Sequence, residues 1–234
     1  MSVDVVHIVR TGTANIASVM AAVRRLDRMP VLTDEPGVVQ HCDKLILPGV
    51  GAMGATVAEL ERQQLVGVLR ARLAEDRPTL AVCMGHQLLG RESAESPGVP
   101  GLGAHDGCAV RFEPGEGRRV PQLGWSRIEA PVGARFFTES GHAYFANSYC
   151  FRTVPEGWLG ATAEYDGSFV AALERGNVLT CQFHPELSGP FGLALVHRWL
   201  ELAHNPSPVP ENEWRSTRAV AEVEPATPAM ERKA

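Results

Sequence analysis

The sequence of 234 residues has no CxxC pair, and its five cysteines (Cys42, Cys83, Cys108, Cys150, Cys181) are odd in number and widely spaced. That disfavours a disulfide framework or a structural zinc site and makes a reducing cytosol the expected compartment. There is no basic excess. The formal net charge is −5, so nothing marks a nucleic-acid partner. No apolar run approaches the ~20 residues that span a bilayer. The opening MSVDVVHIVR lacks a basic leader, and Asp4 and His7 interrupt its apolar residues, so no secretory signal is expected. No internal repeat is visible. No Gly-Lys-Ser/Thr follows the glycines of segment 47–54, which excludes a Walker phosphate loop.

What is present is an apolar content of 44%, enough to build the core of one large domain. Segments 3–9, 44–49 and 79–83 read as buried strands. Ile16, Val19, Met20, Val23 and Leu26 recur at helical steps, and segment 55–76 reads as helical. Alternating strands and helices imply an α/β protein with a mainly parallel sheet. Ligands bind beyond the carboxyl ends of such strands, so segments 11–15, 48–54 and 83–87 should converge on one edge. The second half differs. CAVRF, GWSRIEA, AYFANSYCF, GATAEY, FVAALER and NVLTCQF suggest further short strands, some antiparallel, before a closing helix in GPFGLALVHRWLELA. From Asn205 onward prolines multiply and apolar residues thin out. The expectation is a domain over 1–204 and a disordered tail over 205–234.

Three segments could carry chemistry. In LAVCMGHQLLG, Cys83 ends a strand, and the following residues can start a helix whose N-terminus would favour a thiolate. Read alone, Cys83 is as readily a small core residue, since free cysteine is among the most buried types. In CQFHPELSG, His184 stands two residues before Glu186, a carboxylate that can orient an imidazole; the alternative is a surface histidine with a solvated glutamate. In LPGVGAMG, the glycines permit close backbone approach and peptide reorientation, so N–H groups there could meet an oxyanion. Together these form one nucleophilic constellation.

The same three segments resemble the class I (triad) glutamine amidotransferases. TGTANIASV, DKLILPGVGA, LLGRESAESPGVPGLG, VPQLGWSRI and AYFANSY narrow the resemblance to the HisH group, the glutaminase subunits of imidazole glycerol phosphate synthase, from about Val3 to Leu202. The resemblance implies a flavodoxin-like α/β fold: a central mostly parallel sheet flanked by helices, with additional antiparallel strands in the C-terminal half. It implies Cys83 as nucleophile, His184 as base and Glu186 as its orienting carboxylate. It implies an oxyanion hole from Val50, Gly51 and Met84, and glutamine binding by Gln87, Ser148 and Tyr149. Asn15 and Trp125 match positions near a partner interface, although a core location for Trp125 is equally open at this point. The implied partner is a HisF-type (βα)8-barrel cyclase subunit in a heterodimer. It would receive ammonia and convert PRFAR to imidazole glycerol phosphate and AICAR in histidine biosynthesis. No cofactor and no metal are implied, and a cytoplasmic location is.

Three residues depart from the group's usual pattern: His86, Asn147 and Arg10. They leave open a paralogous glutaminase feeding a different synthase. A catalytically silent scaffold of the same fold and an independent cysteine hydrolase are the other readings.

Overall fold

Strands and helices succeed one another through the first half of the chain, with two helices in a row before the last strand. The structure is a computed structural model that describes residues 4–12 and 14–204. The tail expected over 205–234 lies outside the described residues. The first half runs β1 (Val5–Val9), α1 (Ile16–Arg25), β2 (Met29–Thr33), α2 (Pro36–His41), β3 (Leu45–Gly49), α3 (Met53–Arg62), α4 (Leu65–Ala74), β4 (Thr79–Cys83) and α5 (Met84–Leu88). Strands β3 and β4 are buried along their whole length, which is why both read as near-continuous apolar runs.

The second half is built from β5 (Glu92–Ser93), β6 (Cys108–Arg111), β7 (Gln122–Glu129), β8 (Gly141–Asn147), β9 (Tyr149–Cys150), β10 (Leu159–Glu164), β11 (Ser168–Arg175) and β12 (Val178–Cys181). A single 3-10 turn (Pro185–Leu187) and α6 (Gly189–Leu202) close it. Among the described residues, nine strands form one sheet in the order β2-β1-β3-β4-β12-β11-β10-β7-β8. The pairs from β2 to β12 are parallel, and those from β12 to β8 are antiparallel. A small second sheet has the order β5-β6-β9.

Successive side chains of a strand point to opposite faces, so the sheet carries two core layers. On one side Ile46 and Leu80 pack with Val19 and Val23 of α1 and with Leu195 and Trp199 of α6. On the other, Leu45, Leu47 and Ala81 pack with Leu60 of α3 and Leu69 and Leu73 of α4. Arg72 lies wholly within the second layer, and its guanidinium donates to the carbonyls of Val39, Cys42 and Pro78 and to Thr79 Oγ1. Those bonds replace the water an arginine loses on burial and fix the start of β4.

Three local readings of the sequence are corrected. Strand β2 and helix α2 were not anticipated: β2 contains Pro30 and is only partly buried, features an edge strand tolerates. The helical stretch 55–76 is two helices, broken where Gln64 takes a left-handed conformation (φ +60°). The apolar run 143–151 divides at Ser148, β8 joining the large sheet and β9 the small one.

The parallel order places the ends of β1, β3 and β4 side by side. Gly49 and Cys83, the last residues of their strands, are direct cross-strand partners. The glycine-rich loop and the cysteine therefore emerge at the same edge.

Candidate active site

Cys83 ends β4, and α5 starts at the next residue, with no connecting loop. Its backbone absorbs the whole change of direction, at φ +56° and ψ −107°. A non-glycine residue held there costs about 1–3 kcal/mol, strain of a kind that concentrates at functional sites. The cysteine is 6% exposed. Gly85 packs closely: a Cβ there would lie 2.0 Å from the Leu47 carbonyl oxygen, so only glycine lets α5 rest on β3.

His184 arrives beside Cys83 because β12 runs parallel to β4, with Cys181 opposite Val82. Its backbone is held by three bonds: its N–H donates to the Tyr144 carbonyl, and its carbonyl accepts from Ser188 Oγ and Leu187 N–H. Pro185 opens the 3-10 turn, which curls Glu186 back to the ring. His184 Nδ1 then lies 2.8 Å from Glu186 Oε1. The two residues are 6% and 8% exposed, so this is not a surface histidine with a solvated glutamate. Burial opposes charge on the imidazole. Hydrogen bonds from it to Cys83 and Glu186, with the charges of both, win and push its pKa up to about 10. Since Nδ1 is taken by Glu186, Nε2 is the nitrogen left for Cys83.

Around this trio the other expected residues take up identifiable places. Gly49 packs so closely on Met84 that a Cβ would sit 2.9 Å from Met84 Cβ. Beyond it Val50 is half-buried. Gly51 is exposed with φ +86°, and nothing lies within 4 Å of where its Cβ would be. Val50, Gly51 and Met84 thus flank the cysteine, on a loop with room to turn.

Gln87 Nε2 donates to the Tyr149 carbonyl and to Gln182 Oε1, both at 3.0 Å. Asn147 Nδ2 donates to the same Tyr149 carbonyl at 3.0 Å. The Ser148 carbonyl accepts from Phe112 N–H and so belongs to the scaffold. With both its N–H groups used, Gln87 has only its buried Oε1 without a partner among the described residues. Gln182 was missed from the sequence. Its only signal was a polar residue inside the apolar end of TCQF.

Of the three departures, only Asn147 reaches this constellation. His86 is fully buried behind the elbow, with Nδ1 2.6 Å from Thr180 Oγ1 and its ring 5.0 Å from that of Phe151. Burial and then the nearby His105 push its pKa down to about 3, so it is a neutral core side chain. Arg10 is half-exposed and faces Asp34 at 3.7 Å. Asn15 caps α1, its side-chain oxygen accepting from Ser18 N–H at 3.4 Å. Trp125 is not a core residue. It is 57% exposed, beside Leu123 on the same strand face and edge-on to Tyr144 of the neighbouring strand.

A thiol beside an imidazole that a buried carboxylate orients can attack a carbonyl carbon and pass a proton to the leaving group. Known proteins carry the same framework. The Glutamine amidotransferase class-I family matches residues 12–201. A solved structure described as a glutamine amidotransferase superposes with a TM-score of 0.68 at 23% identity, covering 84% of this chain and 97% of that one. PurLQS from Thermotoga maritima gives 0.64 at 16% identity, covering 86% of this chain and 99% of that one. The chain belongs to the class I glutamine amidotransferase family, and its fold is that of the family.

Within the family its near relatives are the HisH subunits of imidazole glycerol phosphate synthase. That of Pectobacterium atrosepticum is 39% identical over 204 residues, covering 84% of this chain and 99% of the relative. The imidazole glycerol phosphate synthase hisHF of Arabidopsis thaliana is 36% identical over 203 residues, and there the chain spans only 34% of the longer protein.

Proposed function

We propose that the protein is the HisH-type glutaminase subunit of an imidazole glycerol phosphate synthase. The observation that carries this reading is the buried His184–Glu186 pair facing a strained Cys83, in a chain related along most of its length to HisH subunits.

Cys83 Sγ, its proton carried by His184 Nε2, attacks the side-chain amide carbon of L-glutamine. The tetrahedral oxyanion is met by N–H groups of Met84 and of the Val50–Gly51 segment. His184 then protonates the departing nitrogen, and ammonia leaves a γ-glutamyl thioester. Water, deprotonated by the same imidazole, releases glutamate. Glu186 keeps the proton of His184 on Nδ1 and stabilises the imidazolium. Gln87 helps hold the substrate glutamine, and the segment at Ser148 and Tyr149 lines the same pocket.

The ammonia passes to a HisF-type (βα)8-barrel partner that turns PRFAR into imidazole glycerol phosphate and AICAR. Trp125 anchors that partner; an exposed tryptophan is the kind of side chain that dominates interface energetics. Asn15, which caps α1, is assigned to the same partner interface. No helix among the described residues is long and apolar enough to cross a membrane, and we place the enzyme in the cytoplasm.

The test is glutamate release from glutamine by the full chain, alone and with a co-expressed HisF-type barrel. The expected outcome is weak turnover alone, strong stimulation by the liganded partner, and none in Cys83→Ala. Full turnover without any partner would favour an independent hydrolase. Activity surviving Cys83→Ala would remove the mechanism.

A further inference from the structure

Helix α3 starts directly after the glycine-rich loop, and its N-cap residue is Ala52, which has no side-chain oxygen to offer. A helix start leaves several backbone N–H groups without partners. Here the first two are met from 42 residues away. Glu95 Oε2 accepts from Met53 N–H, and Ser96 Oγ accepts from Gly54 N–H, both at 3.0 Å.

The segment that supplies them is itself held. Glu95 N–H donates to Ser93 Oγ, Ser96 N–H to the Ser93 carbonyl, and Ala94 N–H to the Ala109 carbonyl. Ser93 is buried, and its strand follows α5, the helix that begins next to Cys83. One short tether thus joins the helix of the nucleophile to the helix that follows the glycine-rich loop.

The loop is consequently fixed at both ends and free between them. At one end Gly49 is paired with Cys83 and pressed on Met84. At the other Met53 is buried, with its N–H on Glu95. Val50, Gly51 and Ala52 span the gap, and Gly51 has open space around it. Such a span can rotate a peptide in place but cannot translate.

We infer that Glu95 and Ser96 are positioning residues for the oxyanion loop. They hold its far hinge, so that rotation of the Val50–Gly51 peptide delivers an N–H to the oxyanion beside Cys83. The inference rests on the glutaminase reading above. Ordinary helix capping would give the same two bonds with no consequence for turnover, and the test separates the two roles.

The full chain in complex with its barrel partner is assayed as wild type, Glu95→Ala/Ser96→Ala, Glu95→Gln, and the double variant with Ala52→Ser, which supplies a local cap. Ala52→Ser alone and Cys83→Ala serve as references. The double variant should lose about 10-fold or more in kcat, as expected for a misplaced oxyanion donor. KM for glutamine should stay within about twofold, and the rate and pH profile of Cys83 alkylation by iodoacetamide should not change. Glu95→Gln, which keeps an acceptor, should stay within about threefold of wild type in kcat. Adding Ala52→Ser should restore the melting temperature but not kcat. Restoration of both, wild-type kcat in the folded double variant, or a parallel fall in alkylation would overturn the inference. If the double variant does not fold, Ser96→Ala carries the test with a fall in kcat of about threefold. Glutaminase activity in Cys83→Ala would instead remove the reading on which the inference rests; a dead Cys83→Ala with a normal double variant removes the inference alone.

Discussion

His184 and Glu186 are two residues apart in sequence and meet side chain to side chain, Nδ1 to Oε1, at 2.8 Å inside the protein. Only the 3-10 turn opened by Pro185 makes so short a spacing productive. The hydrogen bond of the imidazole to Cys83 and this one to Glu186 together bear on stability. The pKa of His184 is raised from 6.5 to about 10, so the protonated imidazole favours the folded state. That contribution is complete below pH 6.5 and is lost as pH climbs towards about 10. The melting temperature should therefore fall between pH 7 and 10, and fall less steeply in Glu186→Gln. Thermal melts across that range check this; parallel profiles for the two proteins would contradict it. Glu186→Gln should also lower glutaminase kcat by about 10²-fold or more, because the imidazolium loses its carboxylate.

Cys83 offers a test of strain. At ordinary strand or helix positions glycine is worse than alanine by about 0.5–1 kcal/mol. At φ +56° the order should reverse. Cys83→Gly is expected to be more stable than Cys83→Ala by about 1 kcal/mol, with both inactive. Denaturant titration of the two variants decides the order.

Gly85→Ala should destabilise by about 2–3 kcal/mol, an overpacking cost, because its methyl group would fall 2.0 Å from the Leu47 carbonyl oxygen. Glutaminase activity should fall as well, since α5 would have to lift away from β3. An alanine variant with wild-type stability would mean that the elbow has slack this packing does not allow.

His86→Met examines the most conspicuous departure from the HisH pattern. The folded-state pKa of His86 is depressed to about 3 from 6.5, so the unfolded chain takes up the proton first. Its contribution to stability is whole above pH 6.5 and is lost as pH falls towards about 3. Between pH 7 and pH 5 the methionine variant should therefore gain about 2 kcal/mol on wild type, with kcat within about twofold. Thr180 Oγ1 keeps its bond from Leu173 N–H in that variant. A large loss of kcat would place His86 in the catalytic machinery after all.

Trp125→Ala should weaken binding of the barrel partner by about 2 kcal/mol or more, as truncation of an interface anchor does. Its melting temperature should be unchanged, because the ring is 57% exposed. Calorimetric titration with the partner, beside a thermal melt, checks both halves.

Much of this was legible in the linear chain because the relevant signals are local. β3 and β4 show as apolar runs since both are wholly buried. Cys83 ends a strand, and the glycine-rich loop and His184 each follow one, where an α/β sheet gathers its ligands. The edge strand β2 was not legible, because partial burial and Pro30 remove the pattern that marks a strand. The break at Gln64 showed only as a slip in the apolar spacing, from Leu60 to Leu65 across Gln63 and Gln64.

By itself the sequence determined the architecture, the family and the three catalytic candidates, for these follow from residue type, spacing and order. Exposure and partnership were decided only in three dimensions. Trp125 could have been core or surface until β7 and β8 placed it outside. His86 lies three residues from Cys83 yet faces Thr180, because successive residues of a helix point in different directions. Gln182 meets Gln87 across 95 residues, and Glu95 meets Met53 across 42. Such contacts leave no periodic trace in a chain. They exist only because two distant segments are brought within hydrogen-bond reach by the packing of the sheet and its helices.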